Sequence, residues 1–297
     1  MGLFRENPLL RPACLMTAYY ANVYFGLRQA IDLDSLRAAI DELPGNDPVA
    51  ARKRVHYLAA LIHTASVSTS GTSHFAQPRQ IRKDSELLSM ARRRRIDVLE
   101  TFTDFCGEIT RALEMVDPGE GNRALCAEYG SLIRDEPSGA RWAPEVRADL
   151  VYMDPPYTSD NYSRFYHVLE VLARYDYPAL DRDARGCVTV GRYPEIGYRF
   201  QSLFCRPRTV EAEFARVIAA SAGSGAKLVI SYGTPNGLLL KVYRRKKPGR
   251  DPVLLLEDLC RQGYRSVETL RRRLLHSGQG DKNLATDELL VVCEGPR

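Results

Sequence analysis

The sequence predicts an α/β protein built on an open sheet with helices packed against it. Three observations lead there. The apolar run Leu150-Val151-Tyr152-Met153 has the length of a buried strand and stops abruptly at Asp154-Pro155-Pro156-Tyr157. Lys227 to Tyr232 (KLVISY) and Glu288 to Cys293 (ELLVVC) are further short apolar runs bounded by polar or glycine-containing segments. Between and before them lie longer stretches whose apolar residues recur at helical spacing.

Taken in order, residues 12–30 read as a helix with Leu15, Tyr19, Val23 and Leu27 in one stripe. Asp34 suits the N-cap of a second helix, Ser35 to Leu43, ended by Pro44-Gly45. A third runs from about Pro48, with proline in its first turn, to Ala65. Ser66 to Asp84 is polar and basic, a loop whose hydroxyls, Arg79, Arg82 and Lys83 suit phosphate contacts. Asp84 then caps a long helix from Ser85 to about Val116, with Arg92, Arg93, Arg94 and Arg95 ahead of its apolar half. The Asp117-Pro118-Gly119-Glu120-Gly121 segment closes it. Arg123 to Ile133 reads as a strand followed by the start of a helix.

After the 150–153 strand, Tyr162 to Ala173 forms a helix. Asp176 to Arg208, with several Pro, Gly and Arg residues, reads as a flexible lid or a DNA-facing excursion, and Val210 to about Ala222 as a helix. The 227–232 strand ends in Ser231-Tyr232-Gly233. A helix at 252–262 precedes an antiparallel pair, 264–275 and 288–293, joined by a polar loop at 276–287. The expected organisation is helices of the body over 1–46, a helical insertion over 47–120, and the α/β body with the 154–157 turn over 121–297.

The composition bounds the function. A 44% hydrophobic share supports a real core, and no apolar run reaches the length of a membrane span. Seven scattered cysteines without a CxxC pair, and five histidines without metal spacing, argue against a metal site or disulfide framework and suit a reducing cytoplasm. The net charge of +5 is concentrated in Arg92 to Arg95, Arg244 to Lys247 and Arg271 to Arg273, runs able to neutralise phosphates.

The chemistry concentrates at Asp154. Pro155 and Pro156 lack an N–H and have a fixed φ, so the strand cannot continue and the turn is stiff. Asp154 therefore stands at the carboxyl end of a strand, where open α/β sheets bind ligands. A carboxylate and the Pro155 carbonyl, accepting both N–H bonds of an exocyclic amine, would localise its lone pair toward a methyl donor. Tyr157 offers a flat face on which a flipped-out base can stack.

The stretch Asp154-Pro155-Pro156-Tyr157, with its continuation TSDNYSRFYHVLE, resembles motif IV of the Dam-like (alpha-group) DNA adenine N6-methyltransferases. The resemblance implies a Rossmann-like, S-adenosylmethionine-dependent methyltransferase fold, with Asp154, Pro155, Pro156 and Tyr157 catalytic. It implies a target-base pocket from Tyr157, Tyr162, Tyr166, Ser231 and Tyr232, and donor contacts from Asp154 and Glu128, the acid at the place of motif III. The helical insertion, with Arg79, Arg82, Lys83 and Arg92 to Arg95, becomes the DNA-binding region. The implied partner is double-stranded DNA in a restriction–modification or defence setting, with no metal and no membrane.

The family's donor site is a strand followed by a Gly-rich loop and a helix. Gly119-x-Gly121, Gly223-x-Gly225 and Gly278-x-Gly280 do not stand in that context. The fold is therefore expected to be incomplete in its N-terminal half, leaving 150–153 as an uncovered apolar edge. Three readings are open: one subunit of a split enzyme with the donor loop on a second chain, a truncated or decayed product, or a catalytically silent nucleic-acid-binding subunit. An RNA or other amino-group methyltransferase is the alternative within enzymes.

Overall fold

The structure is a computed structural model that describes residues 13–45, 47–71, 75–115, 122–137, 139–277 and 283–297. The expected turn at 117–121, the Gly278-x-Gly280 segment and parts of the 66–84 and 276–287 loops lie outside the described residues. The chain divides into two compact units, residues 1–122 with 163–200, and residues 123–162 with 201–297. The expected body helices of 1–46 and the insertion of 47–120 thus share one unit with the segment that follows the 154–157 turn.

The first unit is helical: α1 (Leu15–Tyr20), α2 (Leu27–Asp41), α3 (Pro48–Ser68), α4 (Asp84–Arg93), α5 (Val98–Met115) and α6 (Ser163–Arg174). The expected helix over 12–30 is interrupted. Asn22 takes a left-handed conformation (φ 60°), and α2 starts afresh after Gly26. Asp34 is not an N-cap of its own helix; it lies buried inside α2. Its carboxylate accepts from the N–H groups of Met16 and Thr17, both at 2.8 Å, and so caps α1 from outside. The Tyr175 hydroxyl donates to it as well, at 2.5 Å.

The expected single helix over 85–116 is two. Asp97 accepts from the N–H groups of Leu99 and Glu100 and starts α5, while the buried Gln29 amide donates to the Arg93 and Ile96 carbonyls at the break. Lys83, not Asp84, precedes α4, and Glu86 reaches back to the N–H groups of Arg82 and Lys83. The 176–208 excursion is held by bridges Leu180–Pro194 and Arg182–Val188. His167 on α6 adds a tie: its Nδ1 lies 2.9 Å from the Arg164 carbonyl and its Nε2 3.0 Å from that of Gly191.

The second unit holds the sheet. Residues 123–133 form coil and a 3-10 turn (Tyr129–Leu132), not the expected strand, and lead into a small antiparallel hairpin of β1 (Ile133–Glu136) and β2 (Gly139–Trp142). The main sheet contains β3 (Leu150–Met153), β4 (Lys227–Thr234), β5 (Tyr264–Ser277) and β6 (Asn283–Pro296) in the order β3-β4-β6-β5. The β3–β4 pair is parallel and the others antiparallel. Helices α7 (Val210–Gly223), α8 (Leu238–Lys246) and α9 (Pro252–Arg261) complete the unit. The 210–222, 227–232 and 252–262 readings match within two residues; α8, read only as a basic run, was not expected.

The core of this unit is one sheet face, Leu228, Ile230, Tyr232, Leu289, Val291 and Cys293, packed with Phe214, Ile218, Leu239 and Leu256. The other face explains a correction to the strand reading. Leu150 and Tyr152 are 54% and 60% exposed, so the face of β3 opposite the core is open and the strand is not fully buried. Among the described residues β3 ends the sheet. The expectation of an apolar edge at 150–153 agrees with this strand order. Among the described residues no helix is long and apolar enough to cross a membrane.

Candidate active site

The site is built where β3 stops. Asp154 follows the strand directly and is exposed, while Pro155 is buried behind it. Tyr157 is tied at both ends of its backbone. Its N–H donates to the Tyr162 hydroxyl at 3.3 Å, and its carbonyl accepts from Leu238 N, the first residue of α8, at 2.7 Å. Its ring lies on Gly233 of β4: a Cβ there would stand 3.0 Å from Tyr157 Cδ2. Any side chain at 233 would press on the ring at this separation.

The ring is braced from the side by Tyr232, with centroids 5.4 Å apart at 80°, and Tyr232 by Phe214 at 5.1 Å. The Tyr232 hydroxyl accepts from Leu239 N at 2.9 Å. Burial pushes its phenol up to about 12. Tyr232 is fully buried and thus reaches the site through its contact with Tyr157 instead of lining an open pocket.

The Tyr157 hydroxyl is the hub. It lies 2.8 Å from Asp154 Oδ1, 3.1 Å from Glu288 Oε1 and 3.2 Å from Ser231 Oγ. The buried Ser231 hydroxyl donates to Glu288 Oε1. Register accounts for the cluster. Glu288 pairs with Gly233 across β4–β6, so its side chain emerges on the face where Tyr157 lies and Ser231 points. The Tyr157 phenol is held well above its ordinary range, first by burial, then by the Asp154 and Glu288 carboxylates, with the Ser231 hydroxyl opposing. At neutral pH it is a protonated donor. Glu288 was not among the expected site residues; its signal is an acid, after Asp287, that opens the apolar run ELLVVC.

Comparison with known proteins finds similarity over part of the chain. Residues 141–185 match the D12 class N6 adenine-specific DNA methyltransferase model, a span that includes β3, the 154–157 turn and α6. Modification methylase LlaI of Lactococcus lactis subsp. lactis is 27% identical over 164 residues, covering 53% of this chain and 21% of that protein. Type II methyltransferase M.FokI of Planomicrobium okeanokoites is 32% identical over 135 residues, covering 44% of this chain and 17% of that protein. Modification methylase StsI of Streptococcus sanguinis is 24% identical over 158 residues, covering 53% and 20%. Over part of its length the chain is similar to N6 adenine-specific DNA methyltransferases. It spans about a fifth of the length of these curated relatives. No solved structure matches it.

The remaining expected residues are placed as follows. Tyr162 reaches the turn through its hydroxyl. Tyr166 is exposed on α6 of the helical unit. Glu128 is exposed coil before the 3-10 turn, its carbonyl accepting from the Ser131 N–H and hydroxyl. The Glu213 carboxyl on α7 is raised by burial, with Arg216 opposing and Glu128 adding to it. Two residues after Glu128, Gly130 lies against Arg216 of α7, since a Cβ there would stand 3.2 Å from its Nη1, and this sets the segment beside α7. Among the described residues no hydrogen bond or ion pair links Glu128 to the 154–157 turn.

Two cavities in this unit, about 250 and 480 Å³, are lined around Gly223 and Gly263 and around Arg141 and Asp149. Asp149 immediately precedes β3, so the larger lies at the strand's opposite end from Asp154. In the helical unit, Arg82, Lys83, Arg92 and Arg95 are exposed and Arg79 half-buried. Arg93 donates to the Val67 carbonyl and Arg94 to Ser70 Oγ, so these two also brace their own helices.

Proposed function

We propose that the chain is the target-amine half of a DNA methyltransferase that methylates the N6 amine of adenine. The observation that carries this is the Asp154 carboxylate at a strand end, beside a Tyr157 ring seated on Gly233, with Tyr157 held by Tyr162, Leu238, Tyr232, Asp154, Glu288 and Ser231. Asp154 accepts one amine N–H and the Pro155 carbonyl the other, which turns the nitrogen lone pair out of conjugation with the base. The outer face of the Tyr157 ring supports the flipped base, with Tyr162 at its margin and Ser231 and Tyr232 behind it.

S-adenosylmethionine supplies the methyl group when bound. Asp154 fits its reacting end, since an acid there meets both amine and methyl group. Glu128, beside α7, has no described link to that end, so no role in transfer is derived from it. The fold reading that supports this assignment is a Rossmann-like sheet, with β3 and β4 as its parallel strands and the β5–β6 hairpin as its tail. A second chain or segment carrying the donor loop would pair with the β3 edge.

Arg79, Arg82, Lys83 and Arg92 to Arg95 contribute phosphate contacts that position the duplex without reading its sequence. The test is incubation of duplex DNA with S-adenosylmethionine and the chain, with and without the products of its genomic neighbours, followed by nucleoside mass spectrometry. N6-methyladenine supports the reading. A methylated cytosine, or methylation of RNA alone, contradicts it.

A further inference from the structure

Four oxygens meet at the end of β3, and their protons can be counted. Tyr157 Oη lies 2.8 Å from Asp154 Oδ1, 3.1 Å from Glu288 Oε1 and 3.2 Å from Ser231 Oγ, and Ser231 Oγ contacts Glu288 Oε1 in turn. The two hydroxyls bring one proton each and ionised carboxylates bring none. At most two of the four contacts therefore carry a proton at any moment. In one arrangement Tyr157 donates to Asp154 while Ser231 donates to Glu288. In the other Tyr157 also donates to Glu288, and Asp154 is released. Both leave every hydroxyl proton with an acceptor. Only the phenolic proton changes place, by rotation about the Cζ–Oη bond.

We propose that Glu288 is a positioning residue whose task is to take the Tyr157 proton when a target amine arrives, freeing Asp154 Oδ1 to accept the amine N–H. This rests on the reading of Asp154 as the amine's acceptor. The phenol keeps its proton at neutral pH and is partly withdrawn from water, so that proton needs an acceptor. With Glu288 absent, the phenol remains on Asp154 Oδ1 or turns to the more distant Ser231, and an amine that approaches Oδ1 must share that oxygen with it. The fixed distances mean that the exchange requires no rearrangement of the heavy atoms, which suits a site that must accept and release its substrate repeatedly.

Two measurements test the proposal. In the first, a fluorinated tyrosine, more acidic than tyrosine, is placed at position 157 of the full chain and its titration followed by fluorine NMR. Glu288→Ala should move that titration to lower pH, because the substitution removes a negative neighbour of the phenol. The second is a double-mutant cycle on adenine methylation. Glu288→Ala should lower kcat/KM about 10- to 100-fold, the worth of one hydrogen bond to a charged acceptor. In a Tyr157→Phe background the same change should cost less than about 2-fold, since no phenolic proton remains to be moved. Glu288→Gln, which keeps a carbonyl acceptor, should recover part of the loss.

An unmoved titration, or an equal loss in both backgrounds, overturns the proposal and leaves Glu288 as strand packing. A parent protein that methylates no adenine overturns the functional reading instead, and the titration then decides by itself whether Glu288 shares the Tyr157 proton.

Discussion

Replacing Gly233 by Ala is a small change aimed at the seat of the Tyr157 ring. The added Cβ would stand 3.0 Å from Cδ2, 3.4 Å from Cγ and 3.5 Å from Cε2 of that ring, so the ring must retreat by several tenths of an ångström. It has little freedom to do so. Its backbone is held by Tyr162 and Leu238, its edge by Tyr232 and its hydroxyl by Asp154, Glu288 and Ser231. Overpacking of this kind costs about 1–3 kcal/mol. Spent on tilting the ring and stretching the Tyr157–Asp154 hydrogen bond, it should lower methyl transfer about 10- to 100-fold. The assay is single-turnover methylation at saturating DNA, alongside a urea melt to show that the fold survives. Full turnover with unchanged stability would show that the ring is not fixed on Gly233 and would refute this account of the site.

Other outcomes follow from the helical unit. Asp34→Ala strands the Met16 and Thr17 N–H groups and the Tyr175 hydroxyl, and should cost about 3–5 kcal/mol in chemical denaturation. A loss under about 1 kcal/mol would show that water replaces the carboxylate there. Burial lowers His167 from 6.5 to about 4, outweighing the two carbonyls that favour its charged form. The unfolded chain therefore takes up this proton first, so stability present above pH 6.5 is lost as the pH falls toward 4, by about 3 kcal/mol. Urea midpoints at about pH 7 and about pH 4.5 should show this for the parent and less for His167→Gln; equal pH dependence would remove His167 as the cause. Arg92→Ser with Arg95→Ser should flatten the plot of log DNA affinity against log salt by about 0.9 for each phosphate that is no longer neutralised. An unchanged slope would turn this surface away from DNA.

The residues near Asp154 were legible because the signal is local. A proline pair ends a strand wherever it falls, so Asp154 and Tyr157 could be placed from the sequence. The helix breaks were missed for a different reason. Periodicity runs through 85–116, but Asp97 with Glu100 three residues later is a start signal that outweighs it. Asp34 looked like a cap for its own helix and instead caps α1 through a buried, tertiary contact. Glu288 could not be found from chain order, because its role depends on the β4–β6 register that sets it opposite Gly233. The exposed face of β3 was hidden likewise: an apolar run signals a strand, and its neighbours decide how much of it is buried.

The most direct test of the account is Asp154→Ala, assayed with whatever partner activity requires. Asp154 is exposed at the strand end, and its described hydrogen-bond partner, Tyr157, retains Glu288 and Ser231, so the substitution should leave folding intact. The account predicts that N6-methyladenine formation disappears while affinity for duplex DNA changes little. Retained methylation by the folded variant would contradict it.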